Sequence, residues 1–110
     1  MKNFTIGLTR RYQRQKMREI RLKRAFKQDV RRAEGGRYRL IVKHELWEVV
    51  DALARDIPLP YSYHDHPLHG DREGSRDCHI RPDFVLLYRY EDDDVLLLER
   101  LGSHSELLGL

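Results

Sequence analysis

Apolar and polar residues change their spacing several times along the chain, and each change marks an element. Over residues 18–23, Ile20 and Leu22 alternate with charged neighbours, the pattern of a half-buried strand. Ala25, Phe26, Val30 and Ala33 then fall at helical spacing, and Gly35-Gly36 closes that helix. A second helix is predicted over residues 40–55, with Leu46, Val49, Val50, Leu53 and then Ile57 as its apolar stripe. Pro58 and Pro60 stop it. Residues 61–75 follow as a long, polar, histidine-bearing link, a length that usually carries function.

Three strands complete the chain. Residues 75–81 alternate, placing Asp77, His79 and Arg81 on one face and Cys78 and Ile80 on the other. Arg81-Pro82-Asp83 reads as a tight hairpin turn. Residues 84–90 are apolar on both faces, as in a central strand, and residues 95–101 return after the acidic turn 91–94. Gly102 breaks the last strand, with His104 just beyond it. The order is β-α-α-β-β-β. It predicts an α+β fold with two helices packed on a twisted, mainly antiparallel four-stranded sheet.

Composition narrows the class. A chain of 110 residues, 40% hydrophobic and 35% charged, forms one globular domain, and no apolar run is long enough to span a bilayer. The lone cysteine, Cys78, cannot form an internal disulfide, which fits a reducing cytoplasm. The basic start carries no apolar signal segment. The net charge of +3 is unevenly spread. Residues 1–16 hold Lys2, Arg10, Arg11, Arg14 and Lys16 with no acid, and read as a basic extension, flexible or upstream of the true start. Met17 opens the domain, residues 17–110. Residues 17–43 carry ten Lys and Arg against three acids, either a phosphate-contacting surface or a solvated helix face.

Five of the six histidines lie between residues 64 and 104, interleaved with acids. Cutting RNA without a metal needs a base for the ribose 2′-OH, an acid for the leaving 5′-oxygen and positive charge at the phosphorus. Histidine suits both proton transfers near neutral pH, and a neighbouring carboxylate orients it. His66, His79 and His104 are the candidates, with Asp77 and Asp83 as carboxylates and Arg76 and Arg100 as the cations. His64 and His69 read as solvated loop residues and His44 as structural or exposed. Tyr88 and Tyr90 read as packing. A metal centre built from His66, Asp77 and His79 is the lesser alternative, because one cysteine and irregular histidine spacing suit structural zinc poorly. Cys78 points away from the histidines and is a weak nucleophile candidate.

The segment PLPYSYHDHPLHGDREGSRDCHIRPDFVLLYRYEDDDVLLLERLGSHSELLG, residues 58–109, resembles the YafQ branch of the RelE/ParE toxin superfamily. The resemblance rests on DHPL-x-G, G-x-R-D-x-H-[IV]-x-PD, LLY and ER-x-G-[ST]-H, in that order; it is looser over residues 17–57 and does not include residues 1–16. It implies a microbial-RNase-like fold and a type II toxin that enters the ribosomal A site. There it would cut the mRNA codon by 2′-OH attack, with no metal or other cofactor and no membrane. It implies a cognate antitoxin that covers the basic face. The family's catalytic positions fall on His66, Asp77, His79, Asp83 and His104, and Arg100 on a phosphate-contacting strand position. Three departures bear on base stacking. Arg72 and Ser75 stand where the family often has aromatics, Phe84 where a tryptophan is common, and Leu108 where an aromatic often follows the last histidine. The rival readings are a ParE-like toxin that inhibits gyrase without catalysis, and an inactive homologue that only binds an antitoxin.

Overall fold

The computed structural model describes residues 17–109. The expectation for residues 1–16 lies outside the described residues.

Strand β1 is Glu19–Leu22, helix α1 Arg24–Glu34, and helix α2 Leu46–Ala54, entered through a π-helical turn at Ile41–Glu45. The remaining strands are β2 His66–Pro67, β3 Arg76–Arg81, β4 Phe84–Glu91 and β5 Val95–Gly102, followed by a short helix α3, His104–Leu108. They form one five-stranded sheet in the order β1-β5-β4-β3-β2. The β1–β5 pair is parallel and the other three pairs are antiparallel. The α+β class and the two packed helices agree with the sequence pattern. The strand count does not, because the predicted loop contains a fifth strand of two residues, too short to show a period.

One sheet face carries the main core. Phe26 of α1 and Leu46, Val49, Val50 and Leu53 of α2 pack on Cys78, Ile80, Leu86, Tyr88, Leu96 and Leu98. Ile57, placed in the α2 stripe by spacing, lies beyond the helix end and is 52% exposed. The second face is covered more thinly. Val85 and Leu87 of β4 are buried there by Leu107 of α3, with Leu68 packed alongside. That is why β4 is apolar on both faces.

Helix α3 was not expected from hydrophobic spacing, because five residues give too short a run to show a period. Its start is nevertheless written in Ser103-His104-Ser105-Glu106, a capping box. The Ser103 hydroxyl accepts from the Glu106 amide at 3.2 Å, and Glu106 Oε1 accepts from the Ser103 amide at 2.9 Å. Gly102 makes room for this return, since a β-carbon there would lie 3.0 Å from Glu106 Oε1.

Candidate active site

Asp77 and His79 project from β3 onto the second sheet face, in register with Leu87 and Val85 of β4. Strand β2 brings His66 directly opposite Asp77. The capping box of α3 swings His104 over the same carboxylate from the far side. Three imidazoles therefore gather on one carboxylate. His104 Nε2 donates to Asp77 Oδ2 at 2.8 Å, His66 Nε2 stands 3.9 Å from the same oxygen, and His79 Nε2 stands 3.6 Å from Oδ1. The rings of His79 and His104 have their centroids 4.6 Å apart, and those of His79 and His66 6.2 Å.

Burial makes Asp77 unusual. It is 1% exposed, and its Oδ1 has no hydrogen-bond partner among the described residues. A buried carboxylate oxygen without a partner is costly unless positive charge lies close by. The three imidazoles supply that charge when protonated. His66 is held by its other nitrogen: Nδ1–H donates to the His64 carbonyl at 2.6 Å. In the neutral ring this leaves the Nε2 lone pair facing the cluster. His64 presents that carbonyl from a left-handed backbone conformation, φ 46°, which non-glycine residues seldom adopt.

The loop bearing His64 and His66 is tied down at two points. Asp65 accepts from the Tyr88 hydroxyl at 2.6 Å and from Arg76 Nε at 3.1 Å. Glu45, on the π-helical turn, accepts from the Tyr63 hydroxyl at 3.3 Å and from Arg81 Nη1 at 2.7 Å. Burial, then the Asp65 carboxylate, push the Tyr88 phenol far above its ordinary range. The sequence pointed to none of Asp65, Tyr88 and Glu45 as site-holding residues. Their partners are 11 to 36 residues away in the chain, beyond the reach of local spacing.

The remaining predicted residues are placed elsewhere. Asp83 is exposed in the β3–β4 turn and makes no hydrogen bond or ion pair with the three imidazoles. It lines a different cleft of about 360 Å³ together with Arg32, Arg37 and Glu106. Arg100 binds the buried Asp29 through Nε at 2.8 Å and Nη2 at 3.1 Å. Arg76 binds Asp65. Both arginines expected to face phosphate thus make internal ion pairs, with about a third of each side chain exposed. Cys78 is fully buried on the opposite face, and burial, then the Asp65 and Asp77 charges, push its thiol up to about 12. Of the histidines read as solvated, His64 is exposed but sits edge-on to His79, with ring centroids 5.8 Å apart.

Among the described residues, His66, Asp77 and His79 form a group able to hold a metal ion, their ligand atoms lying within 4.8 Å of one another. Chemically the cluster can accept a proton at one imidazole, donate one from another, and hold positive charge between them.

The family model described as "Bacterial toxin of type II toxin-antitoxin system, YafQ" matches residues 18–109. The chain belongs to the YafQ toxin family. Among curated YafQ proteins, the mRNA interferase toxin YafQ of Escherichia coli K12 is 47% identical over 53 residues, 48% of this chain and 56% of that protein. The chain thus spans about half the length of the curated relatives it matches. Among solved structures, the E. coli DinJ–YafQ toxin–antitoxin complex superposes with a TM-score of 0.73 at 35% identity, covering 84% of this chain and 99% of that one. A copper-bound mutant toxin from Helicobacter pylori superposes with a TM-score of 0.73 at 38% identity, covering 84% and 100%. No helix among the described residues is long and apolar enough to cross a membrane.

Proposed function

We propose that this chain, through residues 17–110, is the toxin of a type II toxin–antitoxin pair. It is an mRNA interferase that cuts codons in the ribosomal A site of cytoplasmic ribosomes by metal-independent 2′-OH attack. The observation that carries this reading is the set of three imidazoles on the single buried carboxylate of Asp77. A gyrase inhibitor that only binds would have no use for it.

In the reaction proposed, His66 takes the 2′-OH proton at Nε2, and the freed oxygen attacks the adjacent phosphorus. The P–O5′ bond breaks as the 2′,3′-cyclic phosphate forms, and His104 in its protonated form returns a proton to O5′. His79, between the two, carries positive charge toward the phosphorane. Asp77 fixes all three rings and compensates their charge. Each proton transfer contributes roughly 10²–10⁴-fold. Because Arg76 and Arg100 are held by Asp65 and Asp29, their proposed part is to hold the loop and sheet rigid while their exposed edges meet the RNA backbone. Asp83, away from the imidazoles, is given no proton-transfer role. The partner proposed is a cognate antitoxin that covers the basic face, by analogy with the DinJ–YafQ complex.

The test is cleavage of mRNA on programmed ribosomes, with the ends mapped. In-frame cuts that require ribosomes, persist in EDTA and disappear in His79→Ala are expected. Intact mRNA with failed gyrase supercoiling would overturn the reading.

A further inference from the structure

We propose that Tyr61 is the stacking platform of this site, the ring on which a nucleobase beside the scissile phosphate lies. The proposal rests on the ribonuclease reading above. The positions where the YafQ resemblance placed aromatics hold no exposed ring. Phe84 is 2% exposed and already stacked face-on with Tyr38, ring centroids 4.1 Å apart. Ser75 is buried against Glu99, and Arg72 donates to the Leu107 carbonyl. Leu108 packs on the small cluster under α3. None of these offers a free ring to RNA.

Three aromatic rings are markedly exposed among the described residues: Tyr61 at 89%, Trp47 at 40% and Tyr90 at 36%. Trp47 stands edge-on to Phe26 between α1 and α2, and the Tyr90 ring is covered by the Arg18 guanidinium at 4.3 Å. Tyr61 alone adjoins the imidazoles. Its ring lies 5.5 Å from that of His64, His64 lies 5.8 Å from His79, and His79 lies 4.6 Å from His104. A continuous row of ring faces and edges therefore runs from solvent to the carboxylate.

The ground around Tyr61 is suited to a base. It lines a groove of about 530 Å³ that also contains Pro58, Pro60 and His66, so the groove opens directly onto a candidate proton acceptor. That volume lies within the range of small-molecule sites, roughly 300–1,000 Å³. The platform is also rigid. Two prolines fix the backbone before it, and Tyr61–Tyr63 forms a 3₁₀ turn closed by the His64 amide on the Tyr61 carbonyl at 3.0 Å. A preordered ring loses little entropy on binding.

The test uses the full chain and programmed ribosomes carrying mRNA that is 2′-O-methylated at the cut codon, which removes the nucleophile. 2-Aminopurine is placed on either side of the blocked phosphate, and its fluorescence reports stacking. Wild type and Tyr61→Phe should quench one position, and Tyr61→Ala should not. On unmodified mRNA, Tyr61→Ala should raise the half-saturating toxin concentration about 5- to 150-fold, the range of one base–aromatic stack, with the maximal rate little changed. Its urea midpoint should match wild type, because the ring touches no core. Unchanged quenching and half-saturation in Tyr61→Ala would overturn the platform. Cleavage by wild type without quenching at either position would overturn it too, leaving the ribonuclease reading intact. Quenching without cleavage of unmodified mRNA would sink the ribonuclease reading while the stacking stands.

Discussion

Asp77 and Cys78 are neighbours with opposite fates, and the difference is the strand pleat. Cys78 turns into the helix-covered core, where its thiol stays protonated and inert. Asp77 turns to the other face and, though 1% exposed, meets three imidazoles there. This geometry separates stability from activity at a single residue. Asp77→Asn removes the charge while keeping the shape. It should fold with a urea midpoint at or above wild type, since an unpartnered buried carboxylate oxygen is a burden on the fold. Single-turnover cleavage should fall roughly 10²–10⁴-fold, the worth of a positioned proton transfer. Asparagine at wild-type rate would show that the imidazoles do not depend on that carboxylate.

At the scale of elements, the least stable piece carries a key side chain. A helix of five residues has no independent stability. Helix α3 exists because Ser103 and Glu106 cap it and Leu107, 5% exposed, is buried under it. Removing the cap with Ser103→Ala should cost about 1 kcal/mol of stability. Cleavage should fall further than that loss of folded protein explains, because the cap also aims His104 at Asp77. The comparison is between the urea midpoint and the maximal cleavage rate. If the rate simply follows the folded fraction, α3 is only a lid on Val85 and Leu87. Strand β2 works the same way: two residues paired to Arg76 and Asp77 bring His66 into place.

For the molecule as a whole, two buried carboxylates tie the layers together. Asp29 of α1 accepts from Arg100, from Arg32 and from the Leu101 amide, linking helix to sheet. Glu99 accepts from Ser75, Lys23 and Arg89, linking β5 to the start of α1 and to the loop before β3. Burial alone would raise both carboxyls. The Arg100, Leu101 and Arg32 bonds outweigh it at Asp29, and the Ser75 and Lys23 bonds with the Arg89 charge outweigh it at Glu99, so both are held below the ordinary range. A carboxyl held low when folded is protonated first in the unfolded chain. Its contribution is complete above the ordinary carboxylate pKa of about 4 and is lost as pH falls through the lower folded value. The part of the urea midpoint that these two carboxylates contribute should therefore stay level from neutrality to about pH 5 and fall steeply below about pH 4. Asp29→Asn should lose on the order of 3 kcal/mol at neutral pH, the low end for breaking a buried pair because Arg100 keeps access to water. It should also show a shallower acid limb. Parallel acid limbs in mutant and wild type would remove Asp29 from this account.

The sequence by itself determined the α+β order, the two helices, the three long strands and the membership of the histidine cluster. The elements rest on local periodicity, and the choice of His66, His79 and His104 rests on strand alternation together with the resemblance to the YafQ family. It also held the capping box of α3 in plain letters, though a five-residue helix has no period to announce it. The tertiary structure decided which charges are free and which are paired. Arg100 found Asp29 71 residues away, Arg76 found Asp65 across the sheet edge, and Asp83 was left outside the cluster that the resemblance had placed it in. It also decided which rings face water: Phe84 went into the core and Tyr61 out of it. Partner choice over such separations depends on how strands register and twist, a property of the whole sheet that no stretch of sequence encodes alone.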